Sequence, residues 1–373
     1  MSSFADLPLL PSLLDSLAEQ NLKRPTEVQS QTLPALLEGR DVVGVAETGS
    51  GKTLAYVLPM LHQLKQLEMD GSSVSTPGRP RGLVLVPARE LGEQVSKVFK
   101  GLTHGTRLRV RTVLGGTPKQ LTRQSVAANF EILVATPGRL VQLLDARELY
   151  LDDLRMLVID EADQMLDAGF APVARRVVRD CPRRVQLAMF SATLPQSLDA
   201  LIGELFNTSP LRVRTRGSAQ ILPTLRTDHR TVVDGRRLEV LREVLAEDAT
   251  AGTVMFVNTR AQCDEISEWL DTEAIPHAIY KGEMDRIARR VNLARFRDGD
   301  VTVLLATDLG SRGLDIDRVE RVINVHLPQT VDNYVHRVGR TARAGREGLV
   351  VNLVTERDGK LLAKLKKRDE KRG

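Results

Sequence analysis

The strongest constraint on this chain is a junction that recurs along it. A short β-branched hydrophobic run stops, and a small polar cluster begins at once. Ala46 to Thr53 (AETGSGKT) follows Val45, PARE follows Val86, TPGR follows Ala135, Asp160-Glu161-Ala162-Asp163 follows Ile159, and SAT follows Phe190. Further on, NTR follows Val257 and TD follows Ala306. The apolar runs are residues 41–45, 83–86, 108–114, 132–134, 156–159 and 186–190, then 253–257, 277–280, 301–306, 321–325 and 349–354. Helical stretches separate them, which is the signature of βαβ units and parallel sheets covered on both faces. Such sheets bind ligands at the carboxyl ends of their strands, where these polar clusters begin. The expectation is an α/β protein of two tandem domains, each a mostly parallel sheet flanked by helices. Their limits are 1–213 and 226–355, with a Gly- and Pro-containing linker at 214–225 and a basic tail at 356–373. The Ser-, Gly- and Pro-rich stretch 70–81 is expected to be a mobile surface insertion.

Length agrees with two cores, since 373 residues exceed what one ordinary core holds. Hydrophobic residues at 42% and charged residues at 27% fit a soluble globular chain. No apolar run reaches the ~18 residues of a membrane span. Asp6 and Asp15 precede the first basic residue, Lys23, so no leader peptide is expected and a cytoplasmic location is. Cys181 and Cys263 form no C-x-x-C pair, which excludes a zinc ribbon and a disulfide framework and leaves them as small buried apolar residues. Aromatics at 3% argue against broad base-stacking platforms. The formal charge is +5, and residues 356–373, with eight basic against four acidic side chains, carry +4 of it. That tail is either a solvated helix end or an auxiliary nucleic-acid patch.

Ala46, Glu47, Thr48, Gly49, Ser50, Gly51, Lys52 and Thr53 match the phosphate-binding loop pattern except for Ala46 in place of the first glycine. Gly49 and Gly51 let successive N–H groups turn toward phosphate oxygens, and a helix starting near Lys52 adds its positive end. Lys52 supplies charge for the β- and γ-phosphates, and the Thr53 hydroxyl is a ligand for Mg²⁺. Asp160 and Glu161 stand at the end of an apolar strand. Asp160 is expected on the metal side, through the ion's water shell, and Glu161 as the base that polarises the attacking water.

In this order the motifs resemble those of DEAD-box ATP-dependent RNA helicases of superfamily 2, from Phe4 to about Thr355. They include Pro25-Thr26 with Gln29, the phosphate loop, PARELG, Gly115-Gly116, Thr136-Pro137-Gly138-Arg139, Asp160 to Asp163 and Ser191-Ala192-Thr193. The second half adds Phe256 to Arg260, Gly282 with Met284 and Arg289, Thr307-Asp308 through Asp315, and His336 to Arg343. The resemblance implies two RecA-like domains, ATP and Mg²⁺ as cofactors, and RNA-stimulated ATP hydrolysis coupled to local unwinding of short duplexes or RNP remodelling. It places Gln29 on the adenine edge, Phe4 against the adenine ring, and Gly310 and Asp315 on the nucleotide from the second domain. Arg340 and Arg343 become arginine fingers, although HRVGRTARAGR read alone could also be a basic RNA-binding loop. Asp163, Ser191, Thr193 and His336 become the residues coupling hydrolysis to unwinding.

RNA contacts are implied at Arg89, Gly116, Thr136, Gly138 and Arg139, and at Arg260, Arg289, Thr307 and Arg312. Arginines, hydroxyls and glycines suit phosphates and sugars, so little sequence preference is expected. Departures from the family pattern occur at Asn21-Leu22, Ala88, Arg286, Val325-His326 and Ala342. Two other functions fit the same motifs: an ATP-gated RNA clamp or annealing protein, and a DNA-acting superfamily 2 helicase. A monomer without membrane contact is expected, with RNP or ribosome-assembly factors as candidate partners.

Overall fold

The computed structural model describes residues 3–47, 49–215, 225–247, 252–281, 284–308, 319–341 and 347–370. The chain divides into two compact units, Met1–Ser218 and Ala219–Gly373. The first holds β1 (Val42–Val45), β2 (Gly82–Leu85), β3 (Val110–Val113), β4 (Ile132–Ala135), β5 (Met156–Ile159), β6 (Gln186–Ser191) and β7 (Leu211–Arg214). They form one sheet in the order β3-β4-β2-β5-β6-β1-β7, with every pairing parallel. The second unit holds β8 (Leu225–Thr231), β9 (Thr253–Val257), β10 (His277–Tyr280), β11 (Val303–Thr307), β12 (Arg321–Asn324) and β13 (Gly348–Val354). Its order is β10-β11-β9-β12-β13-β8, again all parallel.

The inner strands are apolar on both faces because helices cover both. Val42, Val84, Val134 and Val158 point into one apolar cluster, and their neighbours Val43, Leu83, Leu133 and Leu157 point into another. The second sheet repeats this, with Val254, Leu304 and Val322 on one side and Met255, Leu305 and Ile323 on the other. Period-2 alternation of side chains thus builds two half-cores around each sheet. It also leaves the polar residues after each strand at one edge.

Three details differ from the expectations. β7 (LRVR) and β8 (LRTDHRT) were not foreseen as strands, and their ends Arg214 and Leu225 are the ends of the expected linker. Both are edge strands with one partner, so they carry polar side chains that an apolar-run search passes over. Residues 216–224 of that linker lie outside the described residues. The stretch 70–81 is tied to the domain. Gly78 accepts the Tyr150 N–H at 2.9 Å, and Arg81, 7% exposed, pairs with Asp153 at 2.8 Å. The basic tail contains the helix Gly359–Glu370, which buries Leu361 and Leu365 in the second unit's core while Lys360, Lys364 and Lys366 face solvent.

Candidate active site

The loop after β1 needs its glycines. Gly49 has φ 83° and Gly51 φ 91°, in the left-handed region that L side chains rarely adopt. A Cβ on Gly51 would also collide with the Gln29 amide nitrogen. The helix Lys52–Met69 begins there, and its free N–H groups and dipole favour an anion at the loop. Lys52 is 7% exposed, and its ammonium donates to the Ala46 carbonyl at 2.6 Å, folding the side chain back over the loop. Ser50 Oγ donates to the Glu47 carbonyl. Burial pushes the Glu47 carboxyl above its usual range, with Lys52 opposing.

Gln29 is built into this loop from the helix Glu27–Leu37. Its Oε1 accepts the Thr26 N–H at 2.9 Å, closing a capping box, and its Nε2 donates to the Gly51 carbonyl at 2.9 Å. One amide therefore joins a helix start to the phosphate loop, and each end keeps one hydrogen-bonding position. Phe4 is 3% exposed and belongs to the apolar cluster on one side of the first sheet, so in this structure its ring contacts the core.

At the end of β5, Asp160 is 2% exposed. Its Oδ1 accepts the Glu161 N–H at 2.9 Å and its Oδ2 the Tyr56 hydroxyl at 2.7 Å. Burial raises its pKa, with Lys52 and these donors opposing. Glu161, 5% exposed, has φ 48° and ψ 52°. A non-glycine residue held there stores roughly 1–3 kcal/mol of strain, which surrounding structure must overcome. Asp160 and Thr53 offer hard oxygen donors and little else. That suits Mg²⁺, which keeps most of its waters and takes one or two carboxylates plus phosphate oxygens. Among the described residues no cluster of three or more His, Cys, Asp or Glu side chains forms a full cage.

The sheet order places β6 between β5 and β1, so its end lies between the acidic pair and the phosphate loop. There Asp163 Oδ2 accepts from both the Thr193 N–H (2.9 Å) and hydroxyl (2.8 Å), and the Asp163 N–H donates to Ser191 Oγ at 3.2 Å. All three are buried. Thr193→Val, which removes only the hydroxyl, is expected to destabilise the chain by about 0.5–1.5 kcal/mol. A shift of the denaturant midpoint checks this, and no shift would show the hydroxyl to be energetically silent.

The RNA candidates of the first unit surround one turn, 114–117. Arg89 donates to the Gly115 carbonyl at 2.7 Å and to Thr117 Oγ1 at 3.0 Å, and Arg139 donates to the Thr117 carbonyl at 2.6 Å. Gly116 has φ 76°, and the N–H of Thr136, the cap before the helix Pro137–Asp145 that contains Gly138, pairs with Val113. In the second unit Arg260 opens the helix Arg260–Thr272, Thr307 ends β11, and Arg289 lies 5.3 Å from the Tyr280 ring centre. His336 and Arg337 occupy the last turn of the helix Val331–Val338, and buried Arg340 donates to the His336 carbonyl at 3.2 Å. Thr48, Gly310, Arg312, Asp315 and Arg343 lie outside the described residues.

Sequence reasoning missed two residues. Arg337, 1% exposed, forms a forked pair with Asp308 (2.6 and 2.8 Å) and donates to Asn258 Oδ1, Asn324 Oδ1 and the His326 carbonyl. It binds together the residues that follow β9, β11 and β12. The signal was present: an asparagine and an aspartate each follow a strand, and one arginine of HRVGR is free to reach them. Tyr56, the other, reads in sequence as one more apolar core position. The two thiols have no part in the site. Burial pushes Cys181 up to about 12 and Cys263 up to about 11. Cys181 is only part-buried, lining a cavity of about 430 Å³ with Asp41 and Phe206 near the amino-terminal ends of β1 and β6, the far side of the sheet.

Comparison with known proteins agrees with this geometry. The profile described as DEAD/DEAH box helicase matches residues 26–201, and that of the helicase conserved C-terminal domain matches 236–345. The ATP-dependent RNA helicase SrmB of Haemophilus influenzae is 37% identical over 99% of this chain and 83% of its own length. The ATP-dependent RNA helicase DeaD of Mycobacterium tuberculosis is 34% identical over 98% of this chain, which spans 63% of that protein. Among solved structures, S. cerevisiae Dbp5 bound to RNA and ADP BeF3 superposes with a TM-score of 0.84 at 27% identity, covering 99% of this chain and 93% of that one. Both units have the RecA-like fold of these neighbours. With the phosphate loop, the acidic pair and the Asp163–Thr193 link at adjoining strand ends, the chain is a member of the DEAD/DEAH box helicase family.

Proposed function

We propose that the protein is an RNA-stimulated ATPase that uses ATP and Mg²⁺ to separate short RNA duplexes or remodel RNP. The observation that carries this is the convergence of Lys52, Asp160, Glu161 and the Asp163–Thr193 pair at the carboxyl ends of β1, β5 and β6. Lys52 binds the β- and γ-phosphates, leaving the Ala46 carbonyl to do so. Thr53 and Asp160 hold Mg²⁺, which when bound neutralises charge on the phosphate oxygens. Glu161 orients and deprotonates the attacking water, while Arg340 and Arg343 stabilise charge on the transferring phosphoryl group. Gln29 reads adenine with the hydrogen-bonding positions left on its amide. Gly310 and Asp315 complete the nucleotide contacts.

RNA is held through its backbone by Arg89, Gly116, Thr136, Gly138, Arg139, Arg260, Arg289, Thr307 and Arg312, with little sequence preference. Support comes from side-chain chemistry and from relatives named RNA helicases. His336 joins Asp163, Ser191 and Thr193 in coupling hydrolysis to strand separation. The site of action is taken to be the cytoplasm, with the chain working as a monomer on RNP or ribosome-assembly particles. Among the described residues no helix is long and apolar enough to cross a membrane.

The deciding experiment is steady-state ATPase activity with no nucleic acid, with single-stranded RNA and with single-stranded DNA. Stimulation by RNA alone is expected, because contacts to the 2′-OH tell the two apart. Equal stimulation by DNA would overturn the RNA assignment. Lys52→Ala should weaken nucleotide binding about 10–100-fold, the worth of a charge-assisted contact. An unchanged nucleotide Kd with slower turnover would remove Lys52 from ground-state binding.

A further inference from the structure

Tyr56 sits one turn into the helix Lys52–Met69, on the same face as Lys52 and Thr53 by i+4 and i+3 spacing. It is completely buried, and its ring packs at 5.4 Å from that of Phe190, the residue before Ser191. Ring packing alone needs no oxygen, and a phenylalanine would fill the same space. Burying a hydroxyl is costly without a partner. Here the partner is Asp160 Oδ2 at 2.7 Å. Because the Glu161 N–H holds Oδ1, each carboxylate oxygen has its own donor. Rotation of the carboxylate would break one of these bonds.

We propose that Tyr56 is a positioning residue for the metal side of the nucleotide site. Its hydroxyl holds Asp160 in the orientation that presents the carboxylate's remaining lone pairs to the water shell of nucleotide-bound Mg²⁺. This rests on Asp160 being the metal-side carboxylate. Losing the hydrogen-bonded partner of a direct metal ligand typically changes metal affinity about 10–100-fold, and because Asp160 meets the ion through water the low end of that range is expected here. Without the phenolic oxygen, Asp160 Oδ2 loses its buried donor and the side chain is free to turn from the ion. Nucleotide contacts made by the loop backbone and Lys52 do not pass through Tyr56, so they should persist.

The test is the affinity of the full chain for a fluorescent ADP analogue, titrated with Mg²⁺ and repeated in excess EDTA. For Tyr56→Phe, the Mg²⁺ concentration giving half the affinity gain should rise about 10-fold or more. Affinity in EDTA should stay close to the parent's, and the ligand-free thermal midpoint should fall by no more than the loss of one buried hydrogen bond. In an Asp160→Asn background, Tyr56→Phe should add nothing. An unshifted Mg²⁺ midpoint, with the parent responding normally, would overturn the proposal while leaving the site assignment intact. An equal affinity loss with and without Mg²⁺, or a Tyr56→Phe chain that does not fold, would make the hydroxyl a structural group and also overturn it. A parent chain whose nucleotide affinity ignores Mg²⁺ would remove the metal-side role of Asp160, and the proposal with it.

Discussion

Glu161→Gln should bind ATP and RNA like the parent chain and turn over about 10²–10⁴-fold more slowly, the usual cost of losing a general base. The substitution keeps the side chain's size and its hydrogen-bonding reach while removing the proton acceptor. It also keeps a non-glycine residue at the left-handed backbone position (φ 48°), so the loop strain stays the same. Glu161→Gly would relieve that strain and lose the base together. It should therefore be as slow as Glu161→Gln but more resistant to denaturant. Steady-state ATPase rates and denaturant midpoints for both variants separate the two effects, and nucleotide Kd values check that binding is kept. Unaltered turnover in Glu161→Gln would remove Glu161 from the chemistry.

The largest effect on stability is expected from Arg337→Met. This guanidinium is 1% exposed and serves Asp308, Asn258, Asn324 and the His326 carbonyl, with the Phe256 ring 5.2 Å from its centre. Methionine replaces the stem but removes the buried guanidinium donor that these acceptors share. Removing one partner of a fully buried ion pair typically costs about 3–5 kcal/mol, and because the Asp308 carboxylate keeps some exposure the low end of that range is expected here. Arg337→Lys should recover little of this, because one ammonium cannot reproduce a planar fork or reach acceptors behind three strands. Denaturant unfolding of the full chain should show the loss. A change below ~0.5 kcal/mol, the usual range for surface substitutions, would mean that the cluster does not hold the strand ends together.

The contrast between these two residues shows what was legible. Glu161 was readable because its neighbours in sequence define its setting: an apolar strand ends, and two carboxylates follow. The phosphate loop was readable for the same reason, since its chemistry lies in eight consecutive residues. Arg337 was not, because its partners lie at sequence positions 258, 308, 324 and 326 and meet only when β9, β11 and β12 pair. Its neighbour Arg340 was assigned a role through the motif, whereas a fully buried arginine in the same motif reads from sequence as another surface cation.

The same physics separates the rest. Sequence by itself determined the two parallel sheets, because strands covered on both faces are largely apolar along their length. It also determined the edge at which chemistry gathers, because the polar clusters begin where those apolar runs end. Only the tertiary structure decided the polar edge strands β7 and β8, which bury one side at most and so lack an apolar run. It alone tied down residues 70–81 through Arg81 and Gly78. And it alone showed that the Tyr56 hydroxyl serves Asp160, 104 residues away, because a buried hydrogen bond depends on which atoms meet after packing, not on which residues are adjacent.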